Sequence, residues 1–150
     1  MNNSLGDWVF TALQARAKGS PESKTAYANM AVALPTLIRF NGLRSTLAYL
    51  QEKGKEEEKG RDKEGIRNLL EDFLSIRGDV GGATLRDLLC SDGAETPLQE
   101  ILSKILSMEG KRYRLITRLA YSQAEWFKRF AESELVEDQS ETMPHSESGR

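Results

Sequence analysis

The chain has 150 residues, 29% of them charged, and a formal net charge of −2. That length supplies one domain with a modest core rather than two large domains. The near balance of charge excludes both a basic coat over the whole surface and a wholly acidic disordered chain. Leu and Ala together number 32 against 10 for Val and Ile, a bias that favours helix over sheet.

Apolar spacing reads as helix nearly throughout. A first helix is expected from about Leu5 to Lys18, with Leu5, Trp8, Val9, Ala12 and Leu13 on one side and Gly19 as its stop. Ser20-Pro21 then reads as an N-cap followed by a first-turn proline. The second helix carries Tyr27, Ala31, Leu34 and Ile38 on one stripe, with Pro35 inside it. The proline has no amide for the Ala31 carbonyl, so a kink is expected there. Asn41-Gly42 tolerates positive φ and is expected to end that helix, and Leu43, Leu47 and Leu50 carry a third. Residues 51–64, rich in Lys, Glu and Gly, read as a charged mobile loop or a frayed helix end.

Helix resumes by about Glu64, with Ile66, Leu69, Leu70, Phe73 and Ile76 inward, and Gly78 to Gly82 breaks it. Thr84 and Asp87 have the spacing of a capping box for a short helix, Leu85 to Cys90. Thr96-Pro97 repeats the start signal before a helix with Leu98, Ile101, Leu102, Ile105 and Met108 inside. After Gly110 a long last helix runs to about Glu134. Its inner stripe is Tyr113, Ile116, Ala120, Gln123, Phe127 and Phe130, flanked by Leu119 and Trp126. Residues 135–150 show no apolar periodicity and read as an acidic disordered tail. The expected architecture is therefore all-α. It is a compact bundle of about six helices in one domain, residues 1–134, with a kinked second helix and a long C-terminal helix.

The residues needed for catalysis do not assemble. The single histidine, His145, lies in the tail, and the single cysteine, Cys90, has no histidine in the body to activate it. One of each also excludes a disulfide and a His/Cys metal site. The glycines from 78 to 82 lack a following Gly-Lys-Ser/Thr, so no phosphate loop is read there. Glu71 and Asp72 diverge by about 100° on a helix. Trp8, Trp126 and Cys90 read as core. The N-terminus lacks the basic start and apolar run of a signal peptide, and no stretch is apolar enough to span a bilayer. The expectation is a cytoplasmic protein with no enzymatic activity, no cofactor, no metal and no small-molecule substrate.

The net charge conceals a distribution. Residues 1–50 carry +3, residues 51–110 carry −5, residues 111–134 carry +3 and the tail carries −3. On the last helix Lys111, Arg114, Arg118 and Arg129 lie opposite the inner stripe, within about 60° of one another. Tyr121 borders this face, where it can stack on a base. Such a stripe suits a phosphate backbone. By spacing alone the plainer reading is a solvated outer face, because Glu125 and Glu132 lie among the cations and Glu125 is placed to pair with Arg129.

Two segments together resemble a known family. The first holds Ala33-Leu34-Pro35-Thr36-Leu37-Ile38, then Asn41-Gly42-Leu43, then Thr46-Leu47-Ala48-Tyr49-Leu50. The second holds Tyr113-Arg114-Leu115-Ile116-Thr117-Arg118, followed by Trp126-Phe127-Lys128-Arg129-Phe130-Ala131-Glu132. In order, spacing and chain length the pair is similar to the small subunit of the type III-B CRISPR–Cas (Cmr) effector complex, over roughly residues 5 to 134. The resemblance implies a non-catalytic helical subunit in antiviral defence, stacked in several copies beside the backbone subunits. Its implied partners are other Cmr subunits, copies of itself, and the CRISPR RNA with its target RNA. Target cleavage would belong to the neighbouring backbone subunit. Lys128 and Arg129 carry over from the terminal motif, and Arg44 from the residue after the Asn-Gly-Leu corner. Arg39, Arg114 and Arg118 join them as candidate RNA contacts through charge placement. The competing expectation is a protein-only helical adaptor, or the equivalent small subunit of a type III-A (Csm) complex.

Overall fold

The computed structural model describes residues 5–55, 61–76, 83–89 and 97–135, and every element within them is helical. Helix α1 (Leu5–Arg16) buries Leu5, Val9 and Leu13, as an i, i+4, i+8 stripe requires. Trp8 and Ala12 flank it, half-buried. The helix ends at Arg16, slightly short of expectation, and the Gly19 N–H donates to the Arg16 carbonyl at 3.0 Å.

Helix α2 (Pro21–Lys55) opens as the sequence indicates. The Ser23 N–H donates to Ser20 Oγ at 3.1 Å, and Pro21 is the first helical residue. The helical run breaks at the expected place, Gly42, where φ is 87° and ψ is 162°, and a second arm bearing Leu43, Leu47 and Leu50 continues from it to Lys55. The non-helical residue is thus Gly42 and not Pro35. Proline's fixed φ already suits a helix, whereas the Gly42 conformation is one that essentially only glycine occupies. Thr46 Oγ1 donates to the Gly42 carbonyl at 2.8 Å, binding the corner to the second arm.

The charged stretch 51–64 is also shorter as a connection than its composition suggests. Helix α2 covers its first five residues, and α3 (Arg61–Ser75) begins inside its other end. Gln, Glu and Lys are good helix formers, and Arg67 Nη1 donates to the Gly54 carbonyl at 2.8 Å, capping α2 from its neighbour. In α3, Ile66, Leu69, Phe73 and Leu74 are buried, while Leu70 and Ile76 pack at the margin. Gly65 lets α3 approach α2 at backbone distance, because a Cβ there would overlap the Ser23 carbonyl oxygen.

The short helix α4 (Leu85–Leu89) carries the expected capping box. The Asp87 N–H donates to Thr84 Oγ1 at 3.0 Å, and the Thr84 N–H donates to Asp87 Oδ2 at 3.3 Å. Helix α5 (Leu98–Leu106) buries Ile101 and Ile105. Its N-cap is Pro97 itself, so the proline lies one position earlier than expected. Helix α6 (Gly110–Phe130) buries Ile116, Ala120, Gln123, Ala124 and Phe127. A π-helical turn, Ala131–Leu135, prolongs it and buries Ala131 and Leu135, so the helical body includes Leu135. The expectations for Gly78 to Gly82, Cys90, Thr96, His145 and the tail from 136 lie outside the described residues.

Helix α2 is the hub, packed mainly against α3 and α6. Phe73 of α3 meets Phe127 of α6 edge-to-face at 5.6 Å, both fully buried. Each such ring contributes about 1.5–3 kcal/mol by leaving water. Gln123 Nε2 donates to the Phe73 carbonyl at 2.7 Å. That carbonyl is in the last turn of α3, where intrahelical donors run out.

A second tie joins three helices. Arg16 Nε and Nη2 donate to the two Asp72 oxygens at 2.9 and 2.8 Å, and the Tyr27 hydroxyl donates to Asp72 Oδ2 at 2.7 Å. Burial, and then the Asp72 charge, push the Tyr27 phenol well above its ordinary pKa. The hydrogen bond to Asp72 holds Arg16 above its own. Glu71, one residue away, belongs to a separate network with Arg86 and Ser75, as the 100° divergence requires.

Candidate nucleic-acid interface

The inner stripe of α6 fixes what its other sides present. With Ile116, Ala120 and Phe127 in the core, Lys111, Arg114, Leu115, Arg118, Ser122, Glu125 and Arg129 are exposed. The flank bearing Tyr113, Thr117 and Tyr121 is half-buried and faces the two arms of α2.

At the corner, the Tyr113 hydroxyl accepts the Arg44 N–H at 3.2 Å. It thereby satisfies one of the amides left open where the second arm of α2 begins. The same hydroxyl lies 3.2 Å from where a Gly42 Cβ would stand. One turn further along α6, Thr117 and Arg118 face Ile38 and Arg39 of the first arm. Together with Tyr121 they line a cleft of about 310 Å³. The Arg39 Cζ lies 6.0 Å from the Tyr121 ring centroid, at the outer reach of a cation–π contact. Two side-chain polar atoms along this seam, Arg44 Nε and Thr117 Oγ1, are buried without a hydrogen-bond partner.

The six candidate cations separate into groups. Arg39 and Arg118 come together in the cleft, although they are 79 positions apart in sequence. Arg44 stands at the corner, half-buried. Arg114 is exposed one turn before Arg118, and its Nη1 lies 3.5 Å from the Cβ position of Gly110. Lys128 and Arg129 lie about 15 Å further along the helix axis. Arg129 does not pair with Glu125; its guanidinium lies 4.7 Å over the Trp126 ring. Trp126 in turn stacks on Phe130 at 5.5 Å, and Phe130 meets Phe10 of α1 at 5.3 Å. Trp126, partly buried, packs against the core from its margin, and Trp8 is partly buried on α1. Arg112, not among the candidates, donates to the Leu88 carbonyl at 2.7 Å and caps α4.

No carboxylate of the described residues pairs with Arg39, Arg44, Arg114, Arg118 or Lys128. Sequence reasoning placed the stripe but missed Thr117 and the cleft, whose walls come from two distant segments. Among the described residues no cluster of three or more His, Cys, Asp or Glu is placed to hold a metal ion. No helix among them is long and apolar enough to cross a membrane.

Comparison with known proteins gives the geometry a context. Residues 7–134 match the family model described as CRISPR-associated protein (Cas_Cmr5). The chain is also similar to the CRISPR system Cmr subunit Cmr5 of Thermus thermophilus. The identity is 31% over 130 residues, covering 87% of this chain and 90% of the relative. The match takes in both arms of α2, the glycine corner between them and the whole of α6, and on that extent the chain belongs to the Cas_Cmr5 family, the non-catalytic small subunit of type III Cmr CRISPR effector complexes.

Proposed function

We propose that the chain is a structural piece of a CRISPR ribonucleoprotein, repeated in several copies beside the backbone subunits. Its α2–α6 face touches the phosphate backbone of guide–target RNA without reading sequence. The observation that carries this reading is the convergence of Arg39 and Arg118 beside Tyr121, with no carboxylate among the described residues paired to either. Unpaired guanidiniums at a helix–helix seam suit phosphate oxygens, which they grip through charge-assisted bonds. Arg44, Arg114, Lys128 and Arg129 extend the same face along the strand. Phe40, 78% exposed beside Arg39, and Leu115, 53% exposed beside Arg114, favour protein contacts next to the RNA path. Neighbouring Cmr subunits and further copies of the chain are the proposed occupants.

The test is RNA binding by the full chain and by the effector assembled around it, measured across a salt series. The double variant Arg39→Glu with Arg118→Glu should bind RNA more weakly whatever the sequence. It should also lower the slope of log affinity against log salt by about 2. Unchanged affinity and unchanged slope would leave the face as ordinary solvated surface. Loss of assembly on changing Phe40 or Leu115 to Ser, with RNA binding indifferent to both arginines, would favour the protein-only reading.

A further inference from the structure

We infer that the cleft between α2 and α6 is a seat for one unpaired nucleotide of RNA, its base stacked on Tyr121 and its phosphate held by Arg39 and Arg118. The inference rests on the proposed RNA contact and names its chemistry at one point.

Phosphate contacts alone need only exposed cations, and Arg114 supplies one without any concavity. The cleft adds three things. It has a volume of about 310 Å³, at the small end of the range of about 300–1,000 Å³ usual for ligand sites, so it suits a single base and not a helix. It is lined by Ile38, nearly fully buried, and by the partly buried Tyr121 ring, which give a base an apolar surface and a π-face. Its rim carries cations from both helices, so a nucleotide inside meets positive charge on either side.

The Arg39 guanidinium marks the position. It is a flat, delocalised group lying toward the Tyr121 ring, held at 6.0 Å, where the attraction is weak. A base entering the cleft takes over that ring face, and Arg39 moves to the adjoining phosphate, exchanging a weak contact for a charge-assisted one. Thr117 Oγ1, buried in the same wall without a partner, gains an oxygen or ring nitrogen to bond if its χ1 turns toward the cleft. Bases inside a duplex are stacked and paired and cannot enter, so the occupant is a nucleotide in a single strand or one turned out of a helix.

Two measurements on the full chain test this. In the first, a single-stranded oligouridine carrying one 5-iodouridine is irradiated with the wild-type protein and the crosslinked peptide is mapped. The crosslink is expected at Tyr121; crosslinks confined to Tyr49, Tyr113 or Trp126 overturn the inference. In the second, affinities for oligouridine and for an RNA duplex of equal length are compared in Tyr121→Ala and Tyr121→Phe. The alanine variant should lose about 10-fold on the single strand, the scale of one stacked base, and little on the duplex. The phenylalanine variant keeps the ring and should bind as wild type. No loss on the single strand, or equal loss on both ligands, overturns the seat. If that occurs while Arg39→Glu with Arg118→Glu still weakens both ligands, the phosphate reading stands and only the base seat falls. If the arginine pair changes neither ligand, the phosphate reading falls as well. Should Tyr121→Ala fail to fold, the crosslink on the wild-type chain decides alone.

Discussion

At two places among the described residues arginine and tyrosine side chains converge, with opposite outcomes. At the junction of α1, α2 and α3, Arg16 and Tyr27 converge on Asp72, and Arg16 Nε, Arg16 Nη2 and the Tyr27 hydroxyl each find a carboxylate oxygen. At the seam of α2 and α6, Arg39 and Arg118 converge on Tyr121 with no carboxylate among the described residues. The first set is closed: its charge is spent holding helices together. The second is open, and its charge remains available to something outside the chain. The same residue types therefore form a closed tie or stay open at the surface according to whether an acid joins them.

The sharpest way to break this contrast is to open the closed set. Asp72→Ala leaves Arg16 and the buried Tyr27 hydroxyl without their acceptor. It should cost about 3 kcal/mol, discounted from a fully buried pair because Arg16 is partly exposed. For a chain of this size that is a fall in melting temperature of about 6–12 °C, read by calorimetry, with RNA binding unaltered below the new transition. The converse change, Arg39→Glu with Arg118→Glu, should leave the melting temperature within about 2 °C, because neither residue holds an ion pair among the described residues. Its effect should appear only in RNA affinity, of the order of 2 kcal/mol or about 30-fold at low salt.

A smaller effect comes from pH. Tyr27 stays protonated in the folded chain above the tyrosine value of 10.0 that the unfolded chain obeys. The folded state then binds the extra proton, so the contribution is intact below pH 10 and is lost as pH rises beyond it. Urea titrations between pH 8 and pH 11 should show this decline. Tyr27→Phe should cost about 1 kcal/mol at neutral pH and flatten the alkaline limb. The smallest effect is expected for Glu125→Gln. Arg129 lies over Trp126 and not on Glu125, so stability should move by less than about 0.5 kcal/mol.

Local signals made much of the fold legible. The stripes of α1, α3, α5 and α6, the Ser20-Pro21 start and the Thr84/Asp87 box all act within four residues, the range over which periodicity and capping carry information. What stayed hidden depends on separation. Asp72 finds Arg16 across 56 positions and Tyr27 across 45, and nothing near Asp72 distinguishes it from the solvated Glu71. The role of Gly65 is likewise set by a distant partner, since its lack of a side chain is what admits the Ser23 carbonyl. The break at Gly42 is legible from its tolerance of positive φ, whereas Pro35 keeps helical angles, because breaking depends on the backbone angles adopted. On α6, helical periodicity set Arg118 on the outer face and Tyr121 at its border. Only the packing of α2 against α6 made Arg39 their neighbour.

The corner at Gly42 has a practical consequence for redesign. Its angle is held by a glycine conformation, a threonine hydroxyl and the Tyr113 hydroxyl receiving a main-chain amide. None of these involves the side chain of residue 39, and residue 44 enters only through its backbone. The frame and the charges mounted on it are thus separable parts. A library that rewrites positions 39, 114 and 118 from cationic to neutral or acidic would vary the electrostatic character of the seam on an unchanged chassis. Substitutions at 42 or 113 would instead retune the spacing at which every mounted charge is presented.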